Sequence, residues 1–182
     1  MTDRRIRKTE QALQNAFIRL VMEKDLPRIT VKELCAAADI NKSTFYLHYK
    51  DIHDLASNLK QRLLNDSYEI IAEYDVLEFS SRSSEIWERI LNLLRESHCM
   101  YIPFLTTPAL VSLNPTLNEC ITERLIIKAK KDHPELTPDG LKKLRISVTF
   151  IISGFLGLMQ NLDFQELPDA VFYTSTQLKR GF

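Results

Sequence analysis

Residues 41–51 read NKSTFYLHYKD, which is the pattern of a short amphipathic helix after a tight turn. Asn41 is a good N-cap residue, so the helix is expected to begin at Lys42. Phe45 and Tyr49 are four residues apart and therefore share one face, where both would join a hydrophobic core. The opposite face carries hydrogen-bond donors and a flat aromatic ring. The pattern predicts the second, groove-reading helix of a helix-turn-helix.

Another short helix is predicted directly upstream. Thr30 can accept hydrogen bonds from the free backbone N–H groups at the start of this helix. The apolar positions fall on one face; they are Val31, Leu34, Cys35 and Ala38. Asp39 tolerates a left-handed backbone better than most residues, so the helix can end there. The two helices would be joined by a turn of about three to four residues, as a helix-turn-helix requires.

The polar face of the helix that begins at Lys42 suits the major groove of DNA. Lys42 can donate to guanine acceptors, Ser43 can bond either base edge, and Tyr46 can touch a thymine methyl group or bind a phosphate. Neighbouring side chains would bind flanking phosphates and set the register. The predicted DNA contacts are Thr30, Lys42, Ser43, Thr44, Tyr46, Leu47, His48 and Lys50. On this segment alone, an ordinary amphipathic helix with a solvated polar face is the alternative.

The N-terminal residues add positive charge and a third helix. A basic cluster precedes an apolar helical stripe that could cover the two short helices; the residues are Arg4, Arg5, Arg7, Lys8, Leu13, Phe17, Leu20 and Val21. The whole chain has 24 basic and 24 acidic residues. Residues 1–50 hold 10 Lys and Arg against 6 Asp and Glu, a net charge of +4, which leaves −4 for the rest. Such a distribution can orient a protein toward DNA without a high pI.

The order of these elements resembles the TetR family of transcriptional regulators. The run from Thr30 to Leu34, the run from Ala37 to Tyr49, and Leu55 carry the resemblance. Asp39 departs from the family pattern, which usually has glycine there, although aspartate can absorb the change. The pair Ile52-His53 also departs, because the family often presents a lysine to phosphate at this point.

The resemblance implies an organisation for the whole chain. The fold class would be all-α, with a three-helix helix-turn-helix DNA-binding domain in residues 1–51 and a helical effector-binding and dimerisation domain in residues 52–182. The function implied is a ligand-responsive repressor that binds a palindromic operator in double-stranded DNA as a homodimer, with its recognition helices about 34–36 Å apart. The alternative is a protein of the same fold that acts mainly through a protein partner, as a coactivator or assembly regulator.

A long regular helix near the C-terminus is the predicted dimer interface. Its apolar residues repeat at spacings of three and four, and such a seam needs a partner surface. A shorter apolar helix follows, so two helices from each of two chains would form a four-helix bundle, as the resemblance also implies. The predicted interface residues are Leu141, Leu144, Val148, Ile151, Phe155, Leu158, Leu162 and Val171. The alternative is that both helices pack inside a monomer.

Aromatic and methionine side chains of the body could line an apolar effector pocket, which regulators of the TetR family typically carry. The candidates are Trp87, His98, Tyr101, Phe104, Phe155 and Met159. For each of them, ordinary core packing is the alternative. No cluster of basic residues accompanies these aromatics, so a neutral or cationic lipophilic effector is expected rather than a phosphorylated one.

Other function classes lack the patterns that they need. The four glycines form no phosphate loop or dinucleotide fingerprint, and no nucleophile elbow or His-Glu-x-x-His occurs, so no enzyme is expected. The three cysteines lie far apart and no ligand set has metal spacing, so neither a metal nor a cofactor is expected. No apolar run reaches the ~18 residues of a membrane span, and no secretory signal opens the chain. A cytoplasmic protein without a membrane partner is therefore expected.

Overall fold

The computed structural model describes residues 2–97, 100–111, 116–163 and 165–180, and within these ranges the chain is helical and contains no strand. The prediction of an all-α fold is therefore confirmed for this part of the chain. Short 3-10 turns occur at Leu26–Arg28 and Val76–Glu78. The helices are α1 (Thr2–Glu23), α2 (Val31–Ala38), α3 (Lys42–His48), α4 (Ile52–Ala72), α5 (Ser83–Glu96), α6 (Pro103–Thr106), α7 (Pro108–Val111), α8 (Leu117–Asp132), α9 (Pro138–Asn161) and α10 (Leu167–Arg180).

The chain divides into two compact units. The first unit comprises Met1–Leu63 and His98–Leu113, and the second comprises Leu64–Ser97 and Asn114–Phe182. The boundary between the units falls inside α4. The division of function between residues 1–51 and 52–182 remains a prediction, since compactness does not test it.

In the first unit, capping and a left-handed residue set the two short helices. The hydroxyl of Thr30 accepts a hydrogen bond from the backbone N–H of Glu33 at 3.2 Å, which starts α2. Asp39 follows α2 with φ 54° and ψ 47°, a left-handed conformation that closes the helix. Asn41 takes the N-cap position of α3 with an extended backbone, although its side chain makes no capping hydrogen bond to the described backbone of that helix. The predicted helix-turn-helix is therefore present.

The core of the first unit is apolar, and α1 contributes much of it. Helix α1 packs on α2, and α2 packs on α3. The side chains of Leu13, Phe17, Leu34, Phe45 and Leu55 are fully buried. Burial of several large side chains, at about 1.5–3 kcal/mol each, holds the three helices together.

The second unit has a core built around stacked aromatic rings. The rings of Trp87 in α5 and Phe155 in α9 lie parallel, with centroids 4.2 Å apart. Helix α9 packs on α8 and on α10, and α10 packs on α5. Two caps start the long helices, because Thr116 forms a capping box with Glu119 and Thr137 accepts the backbone N–H of Gly140 at 3.1 Å. In the described part of the chain, no helix combines the length and apolarity that crossing a membrane requires.

Candidate nucleic-acid interface

Helix α3 presents an exposed face on the surface of the first unit. Lys42 and Ser43 are exposed, and Tyr46 and Leu47 have 57% and 83% of their surface open to solvent. Phe45, which lies between them in sequence, is fully buried and meets the ring of Tyr46 edge-on at 5.3 Å. One side of α3 is thus anchored, and the other offers an ammonium group, hydroxyls and an aromatic ring to a ligand.

The other four predicted contact residues differ in their surroundings. Thr30 is exposed at the N-cap of α2, and its hydroxyl accepts from the backbone of that helix. Thr44 is half-buried, and Lys50 is exposed in the connection to α4. His48 turns toward α1, because its side chain is only 12% exposed and its Nδ1 lies 3.4 Å from Oε1 of Glu10. The assignment of all eight residues to DNA contacts stays a prediction.

The connection from α3 to α4 is held by two carboxylates. Oδ1 of Asp51 accepts the backbone N–H of Asp54 at 2.8 Å, and Oδ2 of Asp54 accepts the backbone N–H of Lys50 at 2.9 Å. Negative charge in this position is favourable because the N-terminus of α4 carries a partial positive charge. Ile52, which departs from the TetR pattern, is buried, whereas His53 is exposed. The two carboxylates therefore fix the exit of α3 and leave Lys50 at the surface.

A buried polar network that the sequence analysis missed lies behind α3. Nε2 of Gln14 donates to the hydroxyl of Tyr49 at 3.2 Å, and Nη1 of Arg62 donates to Oε1 of Gln14 at 3.1 Å. Burial raises the pKa of Tyr49, so its hydroxyl stays protonated. One signal could have revealed the network. Gln14 is a polar residue spaced three residues before Phe17, and therefore lies on the face of α1 that the apolar residues occupy.

The cysteine of α2 is buried. Cys35 is a buried free thiol in α2, and burial raises its pKa although the charge of Lys42 opposes the shift. A protonated buried thiol is a poor nucleophile and behaves as a small hydrophobic side chain. Cys120 is also a free thiol, and Cys99 lies outside the described residues. Among the residues that the structure describes, no three histidine, cysteine or acidic side chains are grouped to hold a metal.

The predicted effector residues fall in both units. In the second unit Trp87, Phe155 and Met159 are buried in the core, and in the first unit Tyr101 and Phe104 are buried. His98 lies outside the described residues. Their assignment to a pocket stays a prediction, and core packing accounts for the burial of the five that are described.

A groove of about 390 Å³ opens on the surface of the second unit, between α5 and α10. Its lining differs from the predicted pocket residues and consists of Ser84, Glu85, Glu88, Leu91, Arg95, Pro168, Asp169, Val171 and Phe172. The groove combines carboxylates with an exposed aromatic ring. Glu85 is already engaged in this unit, because Arg82 and the hydroxyl of Tyr74 both donate to it, and these bonds lower its pKa.

The predicted dimer residues fall into two groups. Val148, Ile151, Phe155 and Val171 are buried within the second unit of a single chain, and Leu141, Leu144, Leu158 and Leu162 are half-buried. Four large apolar side chains among the described residues of α9 and α10 are exposed, and none of them belongs to the predicted interface. They are Ile146, Phe150, Phe172 and Tyr173. A Cβ atom added to Gly154 or Gly157 would meet no atom within 4 Å. The apolar face that stays open on α9 is therefore turned away from the predicted seam.

Comparisons with known proteins give a partial match. No family model matches the chain. A protein from Bacillus subtilis (strain 168) described as "Uncharacterized HTH-type transcriptional regulator YxbF" is 38% identical over 61 residues, and this match covers 33% of the present chain but only 16% of the relative. A solved structure, the TetR family repressor AlkX from Dietzia sp. strain DQ12-45-1b, is 14% identical with a TM-score of 0.42, covering 94% of this chain and 95% of that one. Over the matched 61 residues, the chain is thus similar to a protein described as a helix-turn-helix transcriptional regulator.

Proposed function

We propose that the protein is a sequence-specific DNA-binding transcriptional regulator of the TetR type. The observation that carries the proposal is the exposed face of α3, where Lys42, Ser43 and Tyr46 project from a helix whose other face is buried through Phe45. A helix anchored in this way can enter the major groove, where its first residues meet base edges. The positive charge of residues 1–50 would add affinity for phosphates in any sequence.

The first experiment measures sequence discrimination directly. The purified protein is incubated with sheared DNA from its source genome near physiological salt, and the retained fragments are sequenced. Lys42→Ala/Tyr46→Ala is the test variant, and Lys131→Ala is the control, because Lys131 is an exposed lysine of α8. We expect the wild type and the control to retain a palindromic site and the double variant to lose at least about tenfold in preference for it, since each base contact contributes about 1–3 kcal/mol. Equal, salt-sensitive retention of all fragments by all three proteins would refute the proposal and favour action through a protein partner.

The proposed regulator acts as a homodimer through the open face of α9 and through α10. Positions 146, 150, 154 and 157 are spaced by four, four and three residues, so they share one face of α9. This face carries Ile146 and Phe150 beside the two glycines, where another helix can approach closely, and Phe172 and Tyr173 are exposed on α10. Exposed apolar side chains of this size are typical of an interface rather than of a free surface.

Light scattering of matched variants tests the dimer. Phe150→Glu places a charge on the open face of α9 without entering the core, because Phe150 is 59% exposed. Leu77→Glu is the control, since Leu77 is 49% exposed in the same unit but outside α9 and α10. We expect the control to remain dimeric and Phe150→Glu to be a folded monomer. A dimer of unchanged stability with Phe150→Glu would exclude this face.

The proposed regulator also binds a small lipophilic effector, which releases it from DNA. The absence of a cluster of basic residues among the aromatic candidates in the sequence supports a neutral or cationic lipophilic ligand rather than a phosphorylated one. A panel of neutral and cationic lipophilic compounds is added to the protein on its recovered site, and release is measured together with Trp87 fluorescence. Release with a fluorescence change is expected for the effector. Fluorescence change without release would separate binding from regulation and contradict the repressor mechanism.

A further inference from the structure

Gln14 is a buried amide in an otherwise apolar part of the first unit. Only 3% of its surface is exposed, and its neighbours Leu13, Ala16 and Phe17 on α1 are fully buried. Burial of an amide is costly unless each polar end finds a hydrogen-bond partner. A leucine or methionine at this position would bury apolar surface without that cost, so the amide needs an explanation in terms of what it binds.

The two ends of the Gln14 amide join three segments of the first unit. The Nε2 group donates to the hydroxyl of Tyr49, the residue directly after α3, at 3.2 Å. The Oε1 atom accepts from Nη1 of Arg62, on α4, at 3.1 Å. Tyr49 is itself almost fully buried, whereas Arg62 reaches the amide from the surface. A single side chain of α1 therefore connects the end of α3 to the middle of α4.

The contacts of α3 explain why this connection controls orientation as well as stability. Phe45 anchors the helix by apolar packing, which has no preferred direction. Hydrogen bonds are directional. At the C-terminal end of α3, α1 contributes Gln14, which donates to the hydroxyl of Tyr49, and Glu10, which faces His48 at 3.4 Å. Asp54 of α4 accepts the backbone N–H of Lys50 at the same end. The rotation of α3 about its own axis decides which side chains reach the groove. The polar contacts at its end are placed to set that rotation.

We propose that Gln14 and Arg62 are positioning residues for sequence recognition, which together set the rotation of α3 through the hydroxyl of Tyr49. The proposal rests on the function proposed above. It assigns no contact with DNA to either residue.

The test replaces both partners of the buried hydrogen bond. Gln14→Met/Tyr49→Phe removes the amide and the hydroxyl together. Arg62, which loses its acceptor, lies at the surface and can donate to water instead, so the change can be nearly neutral for stability. Gln11→Met is the matched control, because Gln11 is an exposed glutamine on the same helix. For each protein we measure the ratio of the Kd for unrelated DNA to the Kd for the recovered site, together with Tm. We expect the double variant to keep its Tm within a few degrees and to lose about tenfold in this ratio, while the control loses nothing.

A second pair of variants keeps the proposal testable if the double variant does not fold. Arg62→Met keeps the aliphatic stem and removes the donor, whereas Arg62→Lys keeps a charged donor. We expect Arg62→Met to lower this ratio of dissociation constants about threefold or more, and Arg62→Lys to restore most of it because lysine keeps a donor. A long-range charge effect would leave the ratio unchanged, since it alters both affinities alike. An unchanged ratio in both Gln14→Met/Tyr49→Phe and Arg62→Met would overturn the positioning role. If the wild type itself prefers no DNA sequence, and Lys42→Ala/Tyr46→Ala binds DNA in the same way, the proposed function is wrong rather than the positioning role.

Discussion

Replacement of Asp39 tests the turn between α2 and α3. Asp39 has φ 54° and ψ 47°, and it is the one non-glycine residue with positive φ in the part of the chain that the structure describes. This conformation costs a residue with a Cβ atom about 1–2 kcal/mol, and it costs aspartate less than alanine. The carboxylate also lies at the C-terminus of α2, where the helix dipole disfavours a negative charge by about 0.3–1 kcal/mol at an exposed site.

Three substitutions separate the two effects. Asp39→Asn removes the charge and keeps the tolerance for a left-handed backbone, so we expect it to stabilise the protein by a few tenths of a kcal/mol. Asp39→Gly also removes the Cβ atom, which outweighs the added freedom of the unfolded chain, and should be more stable than Asp39→Ala by about 0.5–1 kcal/mol. For a chain of 182 residues, 1 kcal/mol corresponds to roughly 2–4 °C in Tm.

The assay is thermal unfolding monitored by circular dichroism at two salt concentrations. The charge effect should shrink at high salt because exposed charges are screened, while the difference between glycine and alanine should persist. Alanine as stable as glycine at both salt concentrations would refute the left-handed turn, and with it the geometry that brings α3 to the surface.

Three further predictions concern the second unit. Phe155→Ala should destabilise the protein by about 3–5 kcal/mol in denaturant unfolding, because the ring is buried against Trp87; a loss below about 1 kcal/mol would place Phe155 outside the core. His133 lies 2.9 Å from Asp75, whose carboxylate raises the pKa of the imidazole above its ordinary 6.5, so its contribution is complete below about pH 6.5 and is lost as pH rises through the raised pKa. His133→Gln should therefore flatten the decline of the denaturant midpoint above pH 6.5, and an unchanged slope would contradict this assignment. Thr137→Ala should cost about 1 kcal/mol through loss of the α9 cap, and a chemical denaturation midpoint equal to that of the wild type would show that the cap contributes nothing.

Elements whose signals are local were predictable from the sequence. The cap Thr30 lies where the sequence analysis expected it, and Asp39 adopts the left-handed conformation that the turn requires. These features depend on a few consecutive residues, because a cap binds the backbone three residues later. Tertiary contacts can override these local preferences only at a cost in free energy, so the structure retains the features that the sequence predicts. Asn41 shows the limit, since it takes the N-cap position without making the expected side-chain bond.

The long-range polar contacts were not predictable. The hydrogen bond between Gln14 and Tyr49 joins residues 35 apart, and that between Arg62 and Gln14 joins residues 48 apart. Helical periodicity places Gln14 on the buried face of α1 but contains no information on which polar atom it meets there. His48 illustrates the same limit, because its position in α3 is compatible with phosphate, yet its imidazole lies near Glu10.

Helix α9 has an apolar face that the sequence predicts, but its sequence pattern does not identify what covers that face. A repeat of three and four residues indicates which side chains share a face, and the predicted seam is indeed apolar throughout. It does not say whether that face meets its own chain or another. Val148 and Phe155 are buried within the second unit. Phe150 is exposed on the same face as Gly154 and Gly157, where an added Cβ atom would have no neighbour within 4 Å. Val148, Ile151 and Phe155 of the seam thus pack within one chain, its leucines are half-buried, and the exposed face around Phe150 is the one that we propose for contact with a second copy.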